Sequence, residues 1–173
     1  MMKEKLLEAL NQQVNAEYYS AYLYLAMSAH AERQALKGTA HWLNVQAQEE
    51  MAHAFHIYRY ILERGETPAF LPIQAPPAEY SSIFNMFEAV LDHEQSVTAS
   101  INTIATLALQ ESDHACYQFM MWYVNEQVEE EGAAADIVDK LKMIGDDKGL
   151  IFSLDSQLAT RTFVHPFPAD LAV

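Results

Sequence analysis

Four carboxylates lie where a helix packed in a bundle would carry apolar side chains. They interrupt rows of apolar residues spaced three and four apart, at Glu17, Glu50, Glu94 and Glu130. His53 follows Glu50 by three residues and therefore shares its helix face. A buried carboxylate without a partner is costly, and none of these rows contains Lys or Arg. Metal ions held between the carboxylates would supply the missing positive charge.

The spacing of these candidate ligands is repeated within the chain. Glu17 precedes Glu50 by 33 residues, and the same interval separates Glu94 from Gln127. In each half, another candidate ligand follows three positions later on the same helix face. The pattern predicts two similar helical hairpins, each contributing one Glu from its first helix and a pair of side chains from its second.

The chemistry of the donors indicates which metal would bind. Carboxylate oxygens with one imidazole nitrogen suit iron or manganese, and zinc less specifically. Calcium prefers oxygen ligands alone. Glu50 is the natural bridge between two ions, and Gln127 is predicted to be a ligand or a hydrogen-bond donor. The predicted ligands are Glu17, Glu50 and His53 for the first ion, and Glu50, Glu94 and Glu130 for the second.

Other residues flank this predicted centre. Glu49, Glu126 and Glu129 lie on adjacent helix faces and could form a third, looser cation site. Tyr24 lies two turns from Glu17 on the same stripe; it belongs either to the core or beside a redox metal, where it could donate an electron or a proton. The remaining helical histidines lie off the apolar rows and are predicted at the surface or at an interface: His30, His41, His56, His93 and His114.

The composition and the positions of helix-breaking and capping residues predict an all-α fold. Gly and Pro number only 5 and 6 among 173 residues, whereas good helix formers are plentiful. Thr39 is predicted to cap the second helix, and Ser81 or Ser82 the third. The pattern predicts helices over about 3–36, 39–65, 81–109 and 113–144, with a short fifth over about 149–160.

The lengths of the connections constrain the topology. The first and third connections are short and predict antiparallel hairpins, whereas residues 66–79 contain four prolines and can run the length of a bundle. These features predict a four-helix bundle with one long crossover, followed by a short C-terminal helix. We expect one domain over 1–173, with the bundle at about 3–144.

The net charge and the apolar content exclude several partners. A formal charge of -14 repels nucleic acid and anionic membranes, and attracts cations. No apolar run approaches the roughly 18 residues of a membrane span. The opening residues have no signal-peptide pattern, and the single Cys116 allows no intrachain disulfide. We therefore expect a cytoplasmic protein with neither nucleic-acid nor membrane partners.

The chain resembles the ferritin family, in its bacterial non-haem branch, over essentially its whole length. The motifs are "NAEYYSAYLYLAMS" around Glu17, "QEEMAH" at 48–53, "HEQSVT" at 93–98 and "YVNEQVEEE" at 123–131. The resemblance implies a ferritin-like four-helix bundle and a hollow homo-oligomeric shell of 24 subunits. It also implies a di-iron ferroxidase centre that oxidises Fe(II) with dioxygen or hydrogen peroxide and passes Fe(III) to an internal mineral.

The resemblance also assigns roles to individual residues. The two iron sites match the ligands predicted above, with Gln127 adjacent to the second and Tyr24 beside the centre. The third iron site typical of this branch matches the flanking acids together with one ligand of the second site: Glu49, Glu126, Glu129 and Glu130.

Some positions differ from related families. Bacterioferritins carry a histidine on the fourth helix where this chain has Glu130, so we do not expect haem at Met51. The mini-ferritins that coat DNA place iron between subunits, whereas these ligands lie within one bundle. The acidic pore residues that animal ferritins carry after the cysteine of the fourth helix are not matched after Cys116. Glu111 and Asp113 are candidate replacements on the iron entry route.

Two alternative functions remain open from the sequence. A di-metal oxidase or peroxidase would use the same centre on a substrate without storing iron. A helical scaffold would keep the polar side chains only as a hydrogen-bonded network and would bind no metal. Iron uptake distinguishes all three.

Overall fold

A computed structural model describes residues 2–167, in which all regular secondary structure is α-helical. The all-α prediction is therefore confirmed. Met1 and residues 168–173 of the predicted domain lie outside the described residues. The helices are α1 Glu4–Arg33, α2 Lys37–Glu63, α3 Ile83–Gln110, α4 His114–Ile144 and α5 Lys148–Leu158.

The four long helices form two hairpins that pack together. α1 packs against α2 and α3 against α4, while contacts between α1 and α3 join the hairpins. α5 packs mainly on α2. None of the helices in residues 2–167 is long and apolar enough to cross a membrane.

The segment between α2 and α3 runs along α1, as its length predicted. Asn11 Oδ1 accepts a hydrogen bond from the backbone N–H of Ala69 at 2.8 Å. Further along α1, the amide of Asn15 donates to the Leu71 carbonyl oxygen at 3.1 Å. Arg33, at the end of α1, donates to the carbonyl oxygen of Ala78 at 3.2 Å. These bonds fix the crossover that allows both hairpins to face one interior.

The apolar interior is divided into two halves. One contains residues such as Leu43 and Phe87, and the other contains residues such as Leu10 and Ile57. On every long helix, the predicted carboxylate lies between the residues that belong to the two halves. The bundle therefore has a polar layer across its middle, with an apolar layer on each side of it.

The start of α2 differs from its predicted start. Thr39 does not cap this helix, because α2 already begins at Lys37. Asp155 of α5 instead accepts the Gly38 and Thr39 backbone N–H groups at 2.9 and 2.7 Å, and the Thr39 hydroxyl at 2.8 Å. The Ser82 cap of α3 is confirmed, since its hydroxyl accepts the Asn85 N–H at 3.0 Å.

Gly38 is expected to be essential for this docking of α5. A Cβ atom at Gly38 would lie 1.6 Å from the Asp155 carbonyl oxygen, which is backbone and cannot rotate away. Gly38→Ala should therefore lower the free energy of unfolding by about 2–4 kcal/mol, through overpacking and weaker bonds to Asp155. Urea unfolding of the assembled protein measures this change.

Gly132 provides the matched control for this substitution. It lies within α4, and a Cβ atom there would meet nothing within 4 Å. Gly132→Ala should stabilise the helix by up to about 1 kcal/mol. Equal effects of the two substitutions would contradict the steric argument at Gly38.

Candidate metal centre

The structure brings the four predicted carboxylates and His53 together inside the bundle. Each long helix contributes one carboxylate, because the rows of apolar residues turn the same face of every helix inward. The exposed fraction is 1% for Glu17, Glu50 and His53, 2% for Glu94 and 8% for Glu130. These groups are therefore removed from bulk water.

The ligand atoms form two adjoining clusters that share Glu50. One cluster is Glu17, Glu50 and His53, and the other is Glu50, Glu94 and Glu130. Within each cluster, one ligand atom from every residue lies within 4.8 Å of the others. Each group is therefore compact enough to surround one ion, and the shared carboxylate lies where a bridge between two ions belongs.

Two glutamines of the first hairpin orient these carboxylates. Gln13 donates through its amide to Glu17 Oε1 at 2.9 Å. Gln46 donates to Glu50 Oε1 and to Glu130 Oε1, both at 2.9 Å. The sequence analysis assigned these glutamines no role, although each lies four residues before the Glu that it contacts. That spacing is the signal that could have identified them.

Gln127 acts as a hydrogen-bond donor in this structure. Its amide nitrogen lies 3.1 Å from Glu94 Oε2 and 3.3 Å from the Glu94 carbonyl oxygen. It also lies 3.3 Å from the hydroxyl of Thr98. An amide that points its nitrogen at a carboxylate orients that carboxylate, which matches the second of the two predicted roles for Gln127.

Tyr24 lies directly beside the centre. Its hydroxyl donates to Glu94 Oε1, and its side chain is fully buried. Burial, with the nearby carboxylates of Glu94 and Glu50, raises the pKa of Tyr24 well above its usual value. Tyr24 therefore keeps its proton. The ring of His93 packs edge-on against Tyr24, with their centroids 5.9 Å apart.

The carboxylates resist ionisation in the absence of a cation. Burial, followed by the nearby Glu94, raises the pKa of Glu50 to about 8. Burial and the charge of Glu50 raise the pKa of both Glu17 and Glu130 well above the usual value. A divalent ion at this position would reverse these effects, because its charge favours the ionised carboxylates.

Three buried side-chain polar atoms lack a hydrogen-bond partner within the described residues: the Tyr80 hydroxyl, away from the centre, and two atoms of the predicted ligands. The two ligand atoms are Glu130 Oε2 and His53 Nε2. Buried polar atoms are normally paired, so such atoms require an explanation. The unpaired oxygen belongs to the second cluster, where a bound ion would satisfy it. The other nitrogen of His53, Nδ1, lies 3.3 Å from Glu50 Oε2 and can serve the first cluster.

The predicted third site is not assembled in the same way. Glu129 is exposed and belongs to none of the potential ligand groups in residues 2–167. Glu126 instead joins His53 and Glu130 in a third group of close ligand atoms. Glu49 forms an ion pair with Arg161, a residue that the sequence analysis did not consider.

The prediction that the remaining histidines lie at the surface or at an interface is wrong for His30, and His56 and His93 are only partly exposed. His30 is only 6% exposed and packs edge-on against Tyr80 at the end of the crossover. His93 accepts or donates a hydrogen bond with Ser20 at 2.7 Å, and His56 does so with the buried Tyr123 hydroxyl at 3.0 Å. Burial lowers the pKa of both His56 and His93 to about 4. His41 and His114 are exposed as predicted.

A bundle of two antiparallel helical hairpins, joined by one long crossover and enclosing a carboxylate–histidine centre, defines the ferritin-like class of proteins. The family model described as Ferritin-like domain matches residues 7–144. The chain therefore belongs to the ferritin family, whose role is iron storage.

Individual relatives match nearly the whole chain. The bacterial non-heme ferritin of Staphylococcus aureus strain MRSA252 is 39% identical over 163 residues, covering 94% of this chain and 98% of that protein. A probable bacterial non-heme ferritin-like protein of Haemophilus influenzae is 39% identical over 158 residues, covering 91% and 96%. These matches confirm the resemblance to bacterial non-haem ferritins.

Solved structures show the same fold. An open pore ferritin from the archaeon Archaeoglobus fulgidus superposes with a TM-score of 0.93 at 46% identity, covering 94% of this chain and all of that one. A humanized archaeal ferritin superposes with a TM-score of 0.94 at 46% identity, covering 95% and 99%. The ferritin-like bundle predicted from the sequence is thereby confirmed.

Proposed function

We propose that this protein is a ferroxidase that stores iron. It binds two Fe(II) ions at the intrabundle centre, oxidises them with dioxygen or hydrogen peroxide, and deposits Fe(III) mineral inside a homo-oligomeric shell. The observation that carries the proposal is the pair of adjoining ligand clusters that share the buried carboxylate of Glu50. A hydrogen-bonded scaffold would need no such arrangement and would leave Glu130 Oε2 unpaired without reason.

Iron is the substrate of this reaction, and the protein supplies its ligands. The first Fe(II) binds Glu17, Glu50 and His53, and the second binds Glu50, Glu94 and Glu130. Binding releases protons from those carboxylates whose pKa burial has raised. The amides of Gln13, Gln46 and Gln127 hold the ligands in place.

The electron balance requires two ions for each oxidant molecule. Each Fe(II) loses one electron, and dioxygen takes up two electrons and two protons to give hydrogen peroxide. Hydrogen peroxide as the oxidant takes up two electrons and two protons to give two waters. Carboxylates bind both oxidation states and change readily between bridging and terminal modes, so they permit the Fe(III) product to leave. Tyr24, hydrogen-bonded to Glu94, is placed to donate an electron or a proton.

Assembly into a shell is supported by the apolar side chains that the single chain leaves exposed. Phe70 of the crossover is 74% exposed, Phe152 of α5 is 73% exposed and Met143 is 81% exposed. Contacts between subunits would remove these apolar side chains from water. We propose 24 subunits, as the sequence resemblance implies. A cytoplasmic location fits the single, buried Cys116.

Anaerobic titration with Fe(II), followed by oxygen, tests the proposal when particle size is recorded on the same samples. We expect about two tightly bound Fe(II) per chain, followed by oxidation and uptake of many more ions into a particle of constant size. An oxidase without storage would stop near two ions. Absence of tight binding would favour the scaffold and overturn the proposal.

A further inference from the structure

Arg161 lies beside the centre, over the surface between Glu49 and Glu126, which we call the acidic groove. It follows α5, and its guanidinium forms an ion pair with Glu49. Its Nη1 also donates to Gln46 Oε1 at 2.8 Å, and the guanidinium carbon lies 4.5 Å from the centroid of the Trp42 ring. The side chain is only 25% exposed, so these contacts restrain a positive charge at one position.

The backbone of Arg161 is anchored as well. Its carbonyl oxygen lies 2.7 Å from Nε2 of His41, on the first turns of α2. The preceding helix is held to α2 by the bonds between Asp155 and Thr39. The position of the guanidinium therefore depends on the docking of α5 and is not an accident of a free surface side chain.

The side chain of Gln46 connects Arg161 to the two predicted iron sites. Because Gln46 Oε1 accepts from Arg161, its amide nitrogen must face the centre. That nitrogen donates to Glu50 and Glu130.

We propose that Arg161 is a built-in cation that competes with a third metal ion for Glu49. With the guanidinium in place, a third ion in the groove meets a fixed positive charge and finds one Glu49 oxygen already bonded. The protein therefore holds two ions tightly and a third only weakly. This inference rests on the proposed function, because it concerns the affinity of a third iron ion beside the proposed centre.

Anaerobic calorimetric titration with Fe(II) tests the proposal in the assembled protein. The parent should bind about two Fe(II) per chain tightly and a third weakly, whereas Arg161→Gln should bind the third at least about tenfold more tightly. Adding Glu49→Gln to Arg161→Gln should abolish this gain. A role for Arg161 in folding alone would not change the affinity of one particular ion.

Arg64→Gln is the matched control, because it removes an equal charge from an ion pair with Asp113 at 2.7 Å, outside the two ligand clusters. It should leave all three affinities unchanged. Equal third-ion affinity in the parent and in Arg161→Gln would overturn the role of Arg161 while leaving the two-ion centre standing. A third ion bound by the parent as tightly as the first two would also overturn it. Absence of two tight ions in every variant would overturn the proposed function as well.

Discussion

Replacing Glu50 and His53 together by alanine is expected to reduce the initial rate of Fe(II) oxidation by about 100-fold or more. Glu50 belongs to both ligand clusters, so its loss removes a ligand from each ion. His53 supplies the nitrogen donor of the first cluster, and the loss of both residues leaves that cluster with Glu17 alone. The rate is measured by the absorbance of Fe(III) after anaerobic loading and exposure to oxygen.

The double variant should still fold and assemble. Without a cation, Glu50 contributes a buried carboxyl that resists ionisation, and its removal relieves that cost. Glu4→Ala with His114→Ala is the matched control, since both residues are exposed and belong to neither cluster. A double variant that assembles and oxidises Fe(II) at the parent rate would refute the assignment of the centre.

The sequence predicted the positions of the inward-facing carboxylates because helical periodicity alone determines them. A residue such as Glu94 faces the interior once its helix exists and its apolar neighbours are buried. The repeated interval between Glu17 and Glu50 then follows from two hairpins of similar length. The helix boundaries were predicted to within a few residues, because Gly, Pro and capping residues mark them in the local sequence.

Features that depend on distant parts of the chain were not predicted. Thr39 has the residue type of an N-cap, but Asp155 satisfies the start of α2 from 116 residues away in the chain. Arg161 could not be placed from the sequence, because its position depends on how α5 docks. His30 was predicted at the surface because its own helix does not show that Tyr80, at the end of the crossover, covers it.

The stability of the metal-free protein should fall as the pH rises from about 6.5 to about 8. Burial raises the pKa of Glu50 from its usual value to about 8, so in this range the folded state holds a proton that the unfolded state has lost. Such a group contributes stability that is complete below its unfolded pKa and is lost as the pH rises through its folded pKa. Glu50 alone should lower the free energy of unfolding by on the order of 2 kcal/mol over this pH range.

The buried histidines do not mask this effect. The pKa of both His56 and His93 is lowered to about 4, so their contribution to stability rises with pH only up to the unfolded value near 6.5. About one pH unit above that value, these imidazoles bind almost no proton in either state, and the stability that they add above pH 6.5 is smaller than the loss from Glu50. The carboxylates therefore dominate the pH dependence of the centre between about 6.5 and 8.

Zn(II) should abolish this loss of stability between pH 6.5 and 8, because a redox-inert divalent ion binds the ionised carboxylates of the folded state alone. At a free concentration of about 100 times its dissociation constant, one bound ion adds about 3 kcal/mol. Thermal unfolding with a chelator or with Zn(II), from pH 6.5 to 8, measures both effects. Glu50→Gln is the matched control: its amide does not titrate and is a poor ligand, so the pH dependence should flatten and the gain from Zn(II) should shrink. If the melting temperature of the parent protein with chelator stayed constant or rose over this pH range, the carboxylates would not be held protonated inside the bundle.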